Sequence, residues 1–390
     1  MNILYVTVDD VRTNASHNIR NVSLINCLAT SGHNIYLLFK PSNKKSDQSI
    51  SKLLKKSIVW SNVDSLYNES SPLSSKKSFF RALKSKIANI ISKVMPFDPT
   101  IFRVKSLIRH TNFPTEIDVI ISSSDPNSSH ILGKKIKKKY PKALWIQYWG
   151  DVMSEDIQFN RFKRHLASLA EKRVLRLADY IVYTNPLVAN YMKLKNTHIE
   201  NRIKWIATPY AINDKCITNN RVVSSKIGYF GSYSNKNRDI SNICKAASLI
   251  NIPMVVVGNG DLEEMPGIEI KKRCDASELA KEEAKCDIVA IVENKYISLS
   301  DGTKGCLQIP GKLYHYSNSC FNVLVVCEGN MLRDNYEQYD RFVFCKNDVE
   351  DIKKSLKDIE KGIYKARIHE VDEFSNAFIS KTWDSLIGGR

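Results

Sequence analysis

The sequence predicts an α/β chain built as two Rossmann-like, doubly wound parallel-sheet domains facing a central cleft. Three observations carry that expectation. At 390 residues the chain exceeds one usual hydrophobic core, so two domains of roughly 150–200 residues are expected. Its first forty residues run strand, loop, helix, glycine, strand, which is a βαβ unit. From about residue 226 the same alternation starts afresh.

Residues 1–8 form an apolar first strand ending in Asp9-Asp10. Helical spacing follows over 17–30, where Ile19, Val22, Leu24, Ile25 and Leu28 recur, and Gly32 stops the helix before a strand at 34–39. The first loop lacks G-x-G-x-x-G, which disfavours an ordinary dinucleotide dehydrogenase. Residues 40–75 are Ser-, Lys- and Asn-rich and weakly patterned. Over 76–94 the apolar residues Phe79, Phe80, Leu83, Ile87, Ile90, Ile91 and Val94 share one helical face between lysines and an arginine, a pattern that suits either an anionic membrane surface or packing on its own domain.

Strands are expected at 117–122, 143–148 and 179–184, with helices from Ser128 and over 162–177. Residues 134–142 hold six lysines. The polar stretch 213–225 reads as a linker between domains 1–210 and 211–370. In the second domain, strands are expected at 226–230, 254–257, 287–292 and 321–327, and helices at 240–250, 277–285, 312–316 and 348–359. Residues 371–390 have the apolar content to pack back on the first domain. The turn Gln308-Ile309-Pro310-Gly311 opens the 312–316 helix, with proline fixing φ and glycine freeing it. A lysine in that first turn suits a phosphate.

Composition is that of a globular chain, 43% hydrophobic and 25% charged, with no run approaching the ~18 apolar residues of a membrane span. The start lacks the basic region and cleavage site of a signal peptide. Nine cysteines without C-x-x-C, several in apolar runs (Cys27, Cys286, Cys327), point to reduced thiols in a cytoplasmic protein rather than disulfides or structural zinc. The net charge of +17 is lopsided. Residues 1–212 hold 33 Lys and Arg against 15 Asp and Glu, a balance of +18, whereas 213–390 balance at −1. One domain therefore meets an anionic partner: nucleic acid, a membrane surface or a phosphorylated substrate.

Five stretches in register, SSSDPNSSHILGKKIKKKYP, WIQYWGD, EKRVLRLADYIVYTNP, IGYFGSYSNKNRDISNICKA and IPGKLYHYSNS, resemble family-4-type bacterial glycosyltransferases of the GT-B fold, closest to those of surface-polysaccharide assembly. The resemblance covers both halves to about residue 330. It implies an acceptor-binding first domain and a nucleotide-sugar-binding second one. It places Gly231, Ser232, Arg238, Gly311, Lys312, His315 and Tyr316 on the donor, with Arg238 and Lys312 stabilising the leaving diphosphate, and turns His130 and Asp151 toward the acceptor side. It also implies retention of configuration, no metal, no cofactor beyond the nucleoside diphosphate sugar as donor substrate, and a lipid-linked saccharide acceptor at the inner membrane face. Where the family usually carries glutamates, this chain has His315 and, eight residues earlier, Leu307; an imidazole can still hydrogen-bond a hydroxyl.

Nothing resembles a D-x-D metal site, since Val8-Asp9-Asp10 lies directly after the first strand. Two other classes remain open on the residues: a nucleotide-sugar epimerase on the same scaffold, and a non-catalytic membrane-surface or nucleic-acid-binding protein. Nucleic acid is not expected as partner, because the lysine run 134–139 has no stacking aromatic within it.

Overall fold

The computed structural model describes residues 1–13, 15–41, 59–60, 95–156, 158–209 and 226–389. The amphipathic stretch 76–94, most of 40–75 and the linker 213–225 lie outside the described residues. The chain divides into two compact units, Met1–Ile206 with Ser380–Arg390, and Ala207–Ile379.

In the first unit, strands β1 (Asn2–Val6), β2 (Asn34–Leu38), β3 (Val59–Trp60), β4 (Val119–Ser123), β5 (Leu144–Trp149), β6 (Tyr180–Tyr183) and β7 (Ile203–Trp205) form one parallel sheet in the order β3-β2-β1-β4-β5-β6-β7. Strands β4 and β5 are buried at every position, as befits strands with apolar layers on both faces. Between them run helices α1 (Ser16–Thr30), α2 (Val104–His110), α3 (Ser128–Lys139), α4 (Arg161–Leu175) and α5 (Pro186–Lys195). Asn160 and Asn185 start α4 and α5 by accepting hydrogen bonds from Lys163 and Val188 N–H, the usual role of asparagine at a helix N-cap.

The second unit repeats the theme. Strands β8 (Ile227–Phe230), β9 (Met254–Val257), β10 (Ile268–Lys271), β11 (Ile288–Val292), β14 (Asn322–Cys327) and β15 (Phe342–Lys346) form a parallel sheet ordered β10-β9-β8-β11-β14-β15, while β12 (Ile297–Ser298) and β13 (Lys304–Gly305) pair as a short antiparallel ribbon. Helices α6 (Ser241–Leu249), α7 (Ala276–Glu283), α8 (Lys312–Ser317), α9 (Met331–Tyr336) and α10 (Val349–Glu360) connect them. One face of this sheet packs Tyr229, Met254, Val256, Leu324 and Val326 against Ile243, Ala247, Ile352 and Leu356 of α6 and α10. Each such aliphatic side chain contributes about 1.5–3 kcal/mol when fully buried.

The expected strands and helices appear within two or three residues of their predicted ends. Strands β7, β10 and β15 and helices α2, α5 and α9 are additions. They are short or weakly patterned. The last helix, α11 (Asn376–Gly388), carries residues of the first unit from Ser380 on. Trp383, fully buried, meets Tyr148 edge-on at 5.7 Å, and Asp384 lies 2.9 Å from His33. Cys27, Cys286 and Cys327 are buried thiols outside any disulfide. Among the described residues no helix is long and apolar enough to cross a membrane.

Candidate functional site

In an open parallel sheet, ligands bind beyond the carboxyl ends of the strands where the strand order reverses. Each unit has one such point, between β1 and β4 in the first and between β8 and β11 in the second.

In the second unit, β8 ends at Phe230 and continues through Gly231 and the exposed Ser232. A Cβ on Gly231 would meet nothing but the Tyr229 side chain, at 3.6 Å or more. The glycine that close approach demands is Gly258, at the end of β9, where a Cβ would lie 1.9 Å from the Gly231 carbonyl oxygen. The turn carrying Arg238 closes on itself, Arg238 N–H donating to the Ser234 carbonyl and Ser234 N–H to that of Arg238, both at 2.9 Å. It is tied to the end of β11 by Lys295, whose Nζ donates to Asp239 at 3.1 Å. The Arg238 guanidinium hydrogen-bonds the Tyr229 hydroxyl and partly offsets the rise in its pKa that burial causes. Its Nε is buried without a hydrogen-bond partner.

Lys312 approaches from the other side. Its Nζ lies 5.7 Å from the centre of the Phe230 ring. Successive strand residues point to opposite faces, so Arg238 beside Tyr229 and Lys312 beside Phe230 flank the carboxyl end of β8 from its two faces. Gly311 does not use its conformational freedom: its φ of −57° and ψ of −18° are helical, and a Cβ there would meet nothing within 4 Å. Pro310 and Gly311 already lead into the first helical turn, with Leu313 N–H donating to the Pro310 carbonyl.

Lys312 Nζ donates to Glu283 Oε1 at 3.0 Å and to the Tyr316 hydroxyl at 3.1 Å, and that hydroxyl donates to the same Glu283 oxygen at 2.6 Å. His315 Nε2 stands 3.7 Å from it. Burial opposes ionisation of Glu283, but His315, Lys312 and Tyr316 outweigh it and hold its pKa well below the usual carboxylate range. The His315 side chain is 11% exposed, and its burial lowers its pKa against the pull of Glu283. At neutral pH its imidazole is therefore neutral. A carboxylate from α7 thus stands beside His315, while Leu307 is buried. The α8 backbone is held from below by Arg341, 1% exposed, which donates to the carbonyls of Ser317, Tyr316, Ser319 and Phe321 at 2.6–3.3 Å. A cation on the last carbonyls of a helix suits its dipole.

At the end of β11, Glu293 is 1% exposed and accepts the Glu328 N–H at 2.9 Å. Burial pushes its pKa up to about 7, against the hydrogen bonds from the Glu328 and Gly329 N–H groups and from Tyr296. Its folded pKa thus lies above the ~4.3 of an exposed glutamate. The stability it contributes is present below that value and is lost as pH rises through about 7. Glu293→Gln should therefore melt with the native protein near pH 4 and a few degrees above it at pH 8. Melting curves from pH 4 to 8 check this; a constant gap across the range contradicts it.

In the first unit, His130 lies in the core. It is 0% exposed, its Nδ1 is 2.9 Å from Ser122 Oγ, and its ring stacks on Trp149 at 4.0 Å. Burial holds its pKa well below the ordinary value, so it is neutral, and its Nε2 is buried without a partner. Asp151 is half-buried in the bend after β5. At the β1/β4 point the structure gathers residues not singled out in the sequence. Arg20 Nη2 donates to the Ser124 carbonyl at 2.8 Å and lies 3.7 Å from Asp125, whose φ is +58°. The Arg20 guanidinium fills the space over Gly150, where a Cβ would fall 1.7 Å from Nη1. His17, one turn earlier, has its pKa lowered by burial against the pull of Asp125 and Asp9, and its Nε2 is also buried without a partner. The polar i, i+3 pair in the first turn after β1 was the legible signal for them. Glu293, the first polar residue after an apolar strand, was legible by the same rule; Glu283 and Arg341 had no local signal.

Among the described residues no group of His, Cys, Asp and Glu could hold a metal ion. No family model matches the sequence, and no curated protein does. Solved structures do. A UDP-N-acetylglucosamine 2-epimerase matches with a TM-score of 0.54 at 10% identity, over 100% of this chain and 97% of that one. Arabidopsis thaliana UGT89C1 complexed with UDP-L-rhamnose matches with 0.51 at 11% identity, over 100% and 98%. Phytolacca americana UGT2 complexed with UDP-2fluoro-glucose and pterostilbene matches with 0.50 at 10% identity, over 100% and 96%. The fold is GT-B. This architecture is shared by glycosyltransferases and an epimerase.

Proposed function

We propose that the chain is a glycosyltransferase moving a sugar from a nucleoside diphosphate sugar, held on the second unit, to a lipid-linked saccharide in cell-surface polysaccharide assembly. The observation that carries this reading is the pair Arg238 and Lys312 flanking the end of β8, with the Arg238 Nε buried and unpartnered. Two fixed cations there match the negative charge that grows on a departing nucleoside diphosphate, and positive groups set in place beforehand stabilise it without reorganising. In this reading they do the work that a metal ion does elsewhere, and the sugar is transferred with retention. Gly231, Ser232, Gly311, His315 and Tyr316 line the donor and Asp151 faces the acceptor from the bend after β5, whereas His130, expected on the acceptor side, is buried against Trp149 and positions that ring without reaching a substrate. The basic first unit draws the protein to the anionic inner face of the membrane from the cytoplasm.

A melting screen of the purified protein against nucleoside diphosphates and their sugars tests donor binding. A ligand at a hundred times its dissociation constant stabilises by about 2.7 kcal/mol, so the matching base should raise the midpoint by several degrees. No shift with any nucleotide would refute the reading. Glu293 favours a second one, a nucleotide-sugar epimerase, because a buried carboxyl with a pKa of about 7 at the β8/β11 point can exchange a proton. Incubation of the bound donor alone in heavy water separates the two: deuterium on a sugar carbon marks the epimerase.

A further inference from the structure

Helix α4 presents two unlike faces. Inward, Ala167, Val174 and Leu175 are buried, and so is the one acidic residue of the helix, Glu171, which accepts the Met153 N–H at 2.8 Å and the Ser154 hydroxyl at 2.7 Å. Outward, Arg161, Phe162, His165, Leu169, Arg173 and Arg176 are exposed at spacings of one, three and four residues, one continuous stripe that Leu177 extends. Phe162 is 59% exposed, and Leu169 and Leu177 are 45% each. Scattered apolar residues on a surface need no explanation. Of ten large apolar residues exposed among the described ones, however, three lie in this stripe, with only arginines and a histidine between them.

Two neighbouring features extend the surface. On α3 the exposed Lys135, Lys138 and Lys139 add positive charge. Leu177 also borders an open pocket of about 580 Å³ lined by Leu144, Tyr180 and Leu386 together with Arg202 and Lys204. The carboxylate there, Asp179, already accepts from Lys137 Nζ at 3.0 Å and the Trp145 N–H at 2.7 Å.

We propose that the outward face of α4, continued to Leu177, docks flat on an anionic phospholipid bilayer. Phe162, Leu169 and Leu177 enter the interfacial region, and Arg161, Arg173 and Arg176 meet the headgroup phosphates. A cationic helix face with aromatic and aliphatic residues and no outward acid is the pattern of a helix lying in a membrane interface. Lipid phosphates supply the complementary charge, and each arginine near them adds attraction that salt weakens. The helix is about 22 Å long at 1.5 Å per residue, so docking along its side leaves the strand carboxyl ends near Phe162 open. This inference rests on the membrane part of the proposed function and is independent of sugar transfer.

Co-sedimentation of the full-length protein with phosphatidylglycerol–phosphatidylcholine vesicles tests it, beside phosphatidylcholine alone. The native protein should bind the anionic vesicles, lose part of that binding in high salt, and leave the neutral ones. The triple variant Phe162→Ser, Leu169→Ser, Leu177→Ser should bind on the order of tenfold or more weakly while melting as the native protein does. Should it fold poorly, Phe162→Trp gives a second readout, a blue-shifted emission quenched by brominated lipid. Native-like binding by the triple variant, or an unshifted tryptophan on bound vesicles, overturns the docking face and leaves the membrane part of the function to other residues. No vesicle binding by the native protein overturns both. Binding of a single-stranded RNA that the triple variant loses, without vesicle binding, assigns the face to nucleic acid and overturns the proposal.

Discussion

Arg238→Ala and Lys312→Ala are each expected to lower sugar transfer by about 10²-fold or more, mainly in kcat. In the proposed reaction both cations face charge that develops only as the nucleoside diphosphate departs, so their loss would weaken the transition state more than the bound donor. Arg238 is the cleaner of the two. It makes no ion pair among the described residues, and its removal leaves no buried carboxylate exposed to repulsion. Lys312 also pairs with Glu283, so its alanine variant perturbs stability as well. Lys312→Arg keeps the charge and should recover part of the rate. The measurement is release of nucleoside diphosphate from the donor found in the melting screen, with melting curves as control. Near-native turnover in both alanine variants would remove the assignment.

Glu283→Ala should cost about 2–3 kcal/mol of stability in the second unit, less than the loss from breaking a fully buried ion pair because Lys312 is 33% exposed. The Tyr316 hydroxyl would lose its 2.6 Å acceptor and His315 its carboxylate neighbour. For a unit of this size the melting point should fall by roughly 5–10 °C. The pH dependence follows from the direction of the shift. The folded pKa of Glu283 is depressed below its unfolded value, so its contribution is complete above about pH 4.3 and fades as pH falls below that. The gap between native protein and Glu283→Gln should therefore be widest at neutral pH and close on acidification. A gap unchanged from pH 7 to pH 3 would show that the network does not depend on ionised Glu283.

Local pattern made the scaffold legible. Val119–Ser123, Ile288–Val292 and Asn322–Cys327 are apolar runs of strand length between turn residues, and Ser16–Thr30 repeats its apolar residues at helical spacing. The same reading placed Gly231 in the loop after β8, Arg238 just before a helix and Lys312 in the first turn of another, because these are local features; that they act on one donor was implied by the resemblance alone. It did not reach the side-chain networks. Glu283 meets Lys312 across 29 residues and Tyr316 across 33, and Arg20 meets Ser124 across 104.

By itself the sequence determined two alternating strand–helix series and a basic first half beside a neutral second. These follow from hydrophobic periodicity and charge, which each segment carries without reference to the rest. Only the tertiary structure decided that His130 is a neutral core residue stacked on Trp149, that Gly258 is under steric constraint where Gly231 is not, and that Glu283 and Arg341 hold the Lys312 helix. Burial, close approach and pKa depend on what long-range packing brings alongside a residue, and no window of neighbouring residues contains that information.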